Sequence, residues 1–189
     1  MISLTEELSK GLLRGIVAVF LLCAATFAQA QRIALKTNAL YWAAASPNLG
    51  LELRVNRHVT FNFEGTFNRL KVGKYDTRAE IFTPEVRYWF SARPQTGHFL
   101  GLSGLAANYN LKLNNDHYIG DSFGGGLTYG YSFVLGRHWS LETTLGAGLI
   151  HRREKNYDER TQECPEKPNL NKWQFFPIKA GVSFVYIIK

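Results

Sequence analysis

The chain has 189 residues, a net charge of +7 and 14% aromatic residues. That length suits one domain with a sizeable interior. A slightly negative mean hydropathy excludes a bundle of membrane-spanning helices, and two cysteines exclude a disulfide framework.

The first element is a helix-like apolar run, Gly15 to Ala30, preceded by Lys10 and Arg14 and closed by Ala28-Gln29-Ala30. Basic start, apolar middle and small-x-small end predict a secretory signal peptide over 1–30, leaving a mature chain of 31–189. The run is short against the ~20 residues that a spanning helix needs. Cys23 follows Leu22, where a lipoprotein signal requires a small residue, so lipidation is not expected. Cleavage leaves Cys164 as the lone thiol and permits no internal disulfide. The removed Glu6, Glu7, Lys10 and Arg14 cancel, so the mature chain keeps its positive balance.

From Ala34 onward nearly every segment alternates with period two, the signature of strands. Leu35 to Ala44 is irregular: Lys36 and Asn38 share a parity with Leu40 and Trp42. Leu49 to Val55 and Val59 to Phe67 alternate cleanly, as do Phe82 to Phe90, Phe123 to Leu135 and Trp139 to Ile150. Within His98 to Leu113 only the second half is clean, with Leu105, Ala107, Tyr109 and Leu111 opposite Asn108, Asn110 and Lys112. The last segment places Ile178, Ala180, Val182, Phe184, Tyr186 and Ile188 on one face. Tight connections, Asn56-Arg57-His58, Ser91 to Gly97 and Gly136-Arg137-His138, alternate with others at Ser46 to Asn48, Val72 to Thr77, Asn114 to Gly120 and the long Glu154 to Asn171. NRHVTFN and GRHWSLE resemble each other. The pattern predicts eight antiparallel strands in up-and-down order.

Alternation alone does not say which face is outside. Three features favour a membrane barrel, apolar outside and polar inside. The polar faces are often too small for a solvated surface, as at Gly124, Gly126, Gly146 and Gly148. Their charges balance, with Lys36, Arg54, Arg87 and Lys179 against Glu52, Glu64, Glu85 and Glu142, as an enclosed network requires. Aromatic residues gather near strand ends. Trp139, Tyr88, Trp89, Phe90, Tyr131, Phe133 and Tyr186 lie toward the short turns, and Phe67, Tyr109, Phe123 and Phe176 toward the other side. The expected fold is an all-β, eight-stranded antiparallel up-and-down transmembrane β-barrel located in the cell outer membrane. The alternative is a soluble periplasmic barrel with an apolar interior and a small hydrophobic ligand.

The terminal KAGVSFVYIIK carries Gly181, Phe184 and Tyr186 in a spacing that resembles the signal read by the barrel-insertion machinery; Ile187, Ile188 and Lys189 follow where a terminal aromatic is usual. Together with LKTNALYW, SPNLGLEL, PEVRYWF, GHFLGL, FGGGLTYGYSFVL and HWSLETTLGAG, it resembles a Bacteroidota outer-membrane β-barrel family classified as a domain of unknown function. The resemblance covers essentially the whole mature chain. It implies an OmpA/OmpX-like eight-stranded barrel and no enzymatic activity.

An eight-stranded barrel is filled by its own side chains, which argues against a diffusion pore. The expected role is structural or interactive. The segment 154–171, charged and almost free of apolar residues, reads as a site for a surface protein partner. Arg69, Lys71, Lys74, Arg78, Lys112, Arg152, Arg153 and Lys172 form a basic rim suited to the phosphates of lipopolysaccharide. The enzymatic alternative is a lipid A-modifying hydrolase or transferase, with His117, Asp121, Ser122 and His151 as its candidates. The five histidines are scattered, so no metal is expected. No cofactor is expected either, and export argues against nucleic acid.

Overall fold

The computed structural model describes residues 33–73, 75–93, 95–113, 116–158, 165 and 167–188. The expected signal peptide, Lys74 and Cys164 lie outside them. Period-two segments become strands because an extended backbone sends successive side chains to opposite faces. The strands are β1 (Ile33–Asn38), β2 (Asn48–Arg54), β3 (Val59–Val72), β4 (Tyr75–Trp89), β5 (Gly97–Leu113), β6 (Asp116–Val134), β7 (Trp139–Asp158) and β8 (Leu170–Ile188), with one helical turn, α1 (Ala39–Ala43), after β1. Each pairs antiparallel with its sequence neighbour, and β8 pairs with β1, so the sheet closes on itself without a free first or last strand.

The strands are strongly staggered. Starting at Ile187 on β8, paired residues run Ala34, Glu52, Asn62, Glu85, Ser103, Gly126 and Gly148, and return to β8 at Phe176. A closed sheet needs this stagger because its strands tilt against the axis.

The distribution of residues is inside out. Outward faces expose Leu49, Leu102, Leu145 and Phe175 to 65%, 63%, 71% and 73%. Inward positions bury Glu52, Arg87, Glu142, Thr60, Asn62 and Thr128 almost completely. Buried apolar side chains are few among the described residues: Ala34, Trp89, Phe99, Ile150, Ile178 and Val185.

The structure departs from the sequence reading at several strands. First, Leu35 to Ala44 is not one strand. The Asn38 side chain accepts the Leu40 N–H at 3.1 Å and starts α1. It also completes the edge of β8, donating to Ala180 O and accepting from Val182 N, both at 3.2 Å. The helical turn frees Leu40 and Trp42 from the inward parity of Lys36 and leaves them exposed, with Trp42 Nε1 donating to Thr37 Oγ1 at 2.6 Å.

Second, β4, β6, β7 and β8 continue through segments read as connections, so the segment 154–171 is strand at both ends, and its residues 159–164 and 166 lie outside the described residues. Backbone pairing persists there, while the outward residues change character. Beyond Phe67, Phe82, Ala106, Phe123 and His151 the outward positions are Arg69, Glu80, Asn108, Asp121 and Arg153. Third, the clean half of β5 faces the other way. Leu100 and Leu102 are the outward residues, and Tyr109 points inward. Fourth, Ile178 is the extra residue of a bulge opposite Gly146 and Ala147, and is 6% exposed. The bulge shifts parity by one: Phe176 lies opposite the inward Gly148, while Phe175 and Trp173 face outward. Trp89, placed by sequence among the outer aromatics, is fully buried.

Candidate functional site

Inward positions on six strands converge on one ion-pair cluster at the short-turn end of the bore. Arg87 on β4 is its centre. Nη1 meets Glu142 Oε1 at 2.9 Å and Glu52 Oε2 at 3.2 Å, and Nη2 meets Glu85 Oε2 at 2.7 Å. Lys36 on β1 joins Glu142 at 2.6 Å and also pairs with Glu52. Lys179 on β8 joins Glu64 at 2.8 Å and Glu85 at 3.1 Å. Seven of the residues read from the sequence as an interior network are thus in one contiguous chain of charges. The eighth, Arg54, is not. It sits at the end of β2, partly exposed, and its Nε donates to Asn56 O at 3.1 Å. The expected four-against-four balance therefore becomes three cations against four carboxylates among the described residues.

Neutral donors offset the surplus carboxylate. Asn48 Nδ2 donates to Glu64 at 2.6 Å, Asn62 Nδ2 to Glu85 at 3.3 Å, and Thr144 Oγ1 to Glu142 at 3.2 Å; Thr128 Oγ1 donates to Glu85. Such donors lower the cost of burying Glu64, Glu85 and Glu142, while Glu52 Oε1 and Arg87 Nε are buried without a hydrogen-bond partner. Beneath the charges, the guanidinium of Arg87 lies 4.5 Å above the ring of Phe99, and Phe99 packs on Trp89 at 4.7 Å. Trp89 Nε1 donates to Thr60 Oγ1 at 2.9 Å. These contacts tie six of the eight strands together across the interior, and they can anchor the barrel shape.

Sequence reasoning missed the supporting residues Asn48, Asn62, Thr128 and Trp89, although Asn48, Asn62 and Trp89 share the parity of a predicted charge on their own strands and Thr128 lies on the polar face of β6. It also missed Gly101. A Cβ there would lie 2.6 Å from Glu85 Oε1 and closer still to Thr128 Oγ1. Gly101→Ala is expected to destabilise the barrel by about 1–3 kcal/mol, the usual cost of overpacking. A lower urea midpoint for the refolded variant checks this; an unchanged midpoint contradicts the close packing around Glu85.

The two ends of the barrel differ in charge. At the long-loop end Arg69, Lys71, Arg78, Lys112 and Arg153 occupy outward positions. Acidic groups are interleaved with them: Arg69 lies 3.9 Å from Glu80, and Arg78 lies 3.5 Å from Asp76. Arg152 and Lys172, assigned by sequence to the same rim, pair with each other at inward positions. Arg152 meets Glu154 at 2.5 Å, and Tyr109 OH donates to Glu154 at 2.7 Å. At the short-turn end the exposed charges among the described residues are Arg57, Arg93 and Arg137.

The candidates for hydrolysis do not assemble. Ser122 faces inward. Asp121 faces outward and accepts from Asn108 Nδ2 at 2.8 Å. His117 stacks on Tyr157 at 5.0 Å, and His151 lies between Phe123 and Trp173. Strand alternation separates the hydroxyl from both imidazoles. Gly181 faces inward against the Asn38 amide, while Phe184 and Tyr186 face outward, Tyr186 packing on Trp139 at 4.9 Å. No group of three metal-ligating side chains occurs among the described residues.

A family model described as a protein of unknown function (DUF3575) matches residues 16–188. The chain belongs to this family. No curated protein and no solved structure gives a significant match. The DUF3575 match spans every strand of the barrel, from Ile33 to Ile188, so the ion-pair layer and both rims fall within the family's domain.

Proposed function

We propose that this DUF3575 chain is a small, non-enzymatic outer-membrane β-barrel of the OmpA/OmpX type from the Bacteroidota, exported by a signal peptide cleaved after Ala30. Its bore is closed, and its role is structural or interactive. The observation that carries the reading is the reversed residue distribution, with apolar side chains exposed around the wall and ion pairs buried within. Exposed apolar area on this scale is a liability in water, whereas lipid requires it. A closed sheet also leaves no unpaired edge strand, which hydrocarbon demands. Outward Arg69, Lys71, Arg78, Lys112 and Arg153 lie just beyond the apolar band, at the height suited to lipopolysaccharide phosphates. The segment 154–171 is the candidate contact for a surface protein.

Gel mobility of the exported protein, unboiled and boiled, tests the reading. A folded membrane barrel in detergent migrates faster before boiling. Equal mobility, together with solubility in the absence of detergent, would instead place the apolar faces out of lipid and end this proposal. For the rim, replacing Arg69, Arg78 and Arg153 together with glutamine is expected to lower co-purifying lipopolysaccharide severalfold; an unchanged amount contradicts the role of the rim.

A further inference from the structure

The two Arg-His turns that resemble each other in sequence are also built alike. Val55 N and Asn56 N donate to Val59 O at 3.0 and 3.2 Å; Leu135 N and Gly136 N donate to Trp139 O at 2.9 and 3.1 Å. Each histidine then locks its turn to the end of the next strand but one. Trp89 N donates to His58 O and Ile187 N to His138 O, both at 2.7 Å. In return His58 Nδ1 lies 3.0 Å from Trp89 O, and His138 Nδ1 lies 3.1 Å from Ile187 O. A carbonyl only accepts, so Nδ1 carries the proton in both rings and Nε2 is left for another partner. The rings stack on Tyr88 at 5.7 Å and on Tyr186 at 5.9 Å.

This anchoring holds Arg57 and Arg137 exposed at equivalent places, with Arg93 on the turn between them. Apolar residues beside the turns, Val55, Phe90, Val134 and Leu135, are exposed to 43%, 59%, 58% and 60%. No aspartate or glutamate occurs in 54–59, 90–98 or 134–139. The carboxylates nearest in sequence on the preceding or following strand, Glu52, Glu85 and Glu142, are buried in their own ion pairs. The long-loop end, by contrast, mixes both signs.

We infer that the short-turn end is a binding surface for anionic phospholipid headgroups, with Arg57 and Arg137, positioned by His58 and His138, as paired phosphate anchors and Arg93 as a third. The inference rests on the membrane reading. Aromatic residues at an interface put the turns at headgroup depth. Arginine presents a fork that matches phosphate oxygens, and the histidine beside it, locked to the neighbouring strand end through Nδ1, fixes the turn that carries it. A net negative headgroup meets no aspartate or glutamate side chain on these three turns.

The test uses the protein exported from the full chain and purified in detergent, with native mass spectrometry of bound lipid. Phosphatidylglycerol and phosphatidylcholine are titrated separately. The expected result is a preference for phosphatidylglycerol of at least about tenfold, lowered about fivefold by each of Arg57→Gln, Arg93→Gln and Arg137→Gln. Arg57→Lys and Arg137→Lys should retain most of it. Equal binding of the two lipids by a heat-modifiable barrel overturns the inference and leaves the membrane reading intact. So does a preference that survives each glutamine variant, or one that responds to Arg69→Gln and Arg78→Gln instead. If one of these variants fails to fold, the other two decide. Absence of heat-modifiable mobility in the wild type is the separate outcome that removes the membrane reading itself.

Discussion

Replacing Arg87 with alanine is expected to cost the folded barrel about 3–5 kcal/mol, the loss typical when one partner of a buried ion pair is removed. The guanidinium touches Glu52, Glu85 and Glu142 at once, and its removal leaves three carboxylates with only Lys36 and Lys179 between them. Arg87→Lys keeps the charge and loses the planar fork, so it should fall between wild type and alanine. Urea titration of the refolded protein in detergent, followed by tryptophan fluorescence and gel mobility, measures both. A loss below about 1 kcal/mol would show instead that water reaches the cluster, because exposed pairs are worth no more than that. Neutralising Glu142 alongside Arg87 should recover part of the loss, since the two residues share a contact and their effects are not additive.

Leu145→Arg is expected to be nearly as damaging, for the opposite reason. Leu145 is 71% exposed on the outward face of β7, where a soluble protein would accept arginine within about 0.5 kcal/mol. On a lipid-facing wall the same change costs about 2–4 kcal/mol near the midplane. Refolding into phospholipid vesicles, compared with Asn110→Arg beyond the apolar band, separates the two cases. A small effect at both positions contradicts the membrane reading. A large effect at Leu145 alone supports it and marks the height of the band on β7.

Much of the fold was legible in the alternation. Segments such as Leu49 to Val55 and Val59 to Phe67 carry one unbroken parity because one face is held to small or polar side chains and the other to large apolar ones. The same parity located Lys36, Glu52, Glu64, Glu85, Arg87, Glu142 and Lys179 on one side of the wall. Arg54 shares that parity and was assigned with them. Its position at the last residue of β2 puts it beside the turn, where a backbone carbonyl satisfies it.

Legibility failed wherever the environment of a face changes along a strand. On β5 the apolar residues switch from the outward Leu100 and Leu102 to the inward Leu105 and Ala107, since the outer wall turns polar above Ala106. Read locally, that switch looks like a broken strand. On β8 one bulged residue, Ile178, inverts the facing of everything before it, and nothing in KWQFFPIKAG shows which residue is skipped. At Asn38 a strand gives way to a helical turn because one side chain serves both the cap of α1 and the edge of β8.

By itself, then, the sequence determined the number of strands, their order and the polar identity of one face, since these follow from local periodicity and turn chemistry. The tertiary structure alone decided the stagger, the bulge, the reach of the strands past the apolar band and the partners of each buried charge. Those depend on which residues closure of the sheet brings opposite one another across the bore, and the contacts of Arg87, 35 residues from Glu52 and 55 from Glu142, have no local signature.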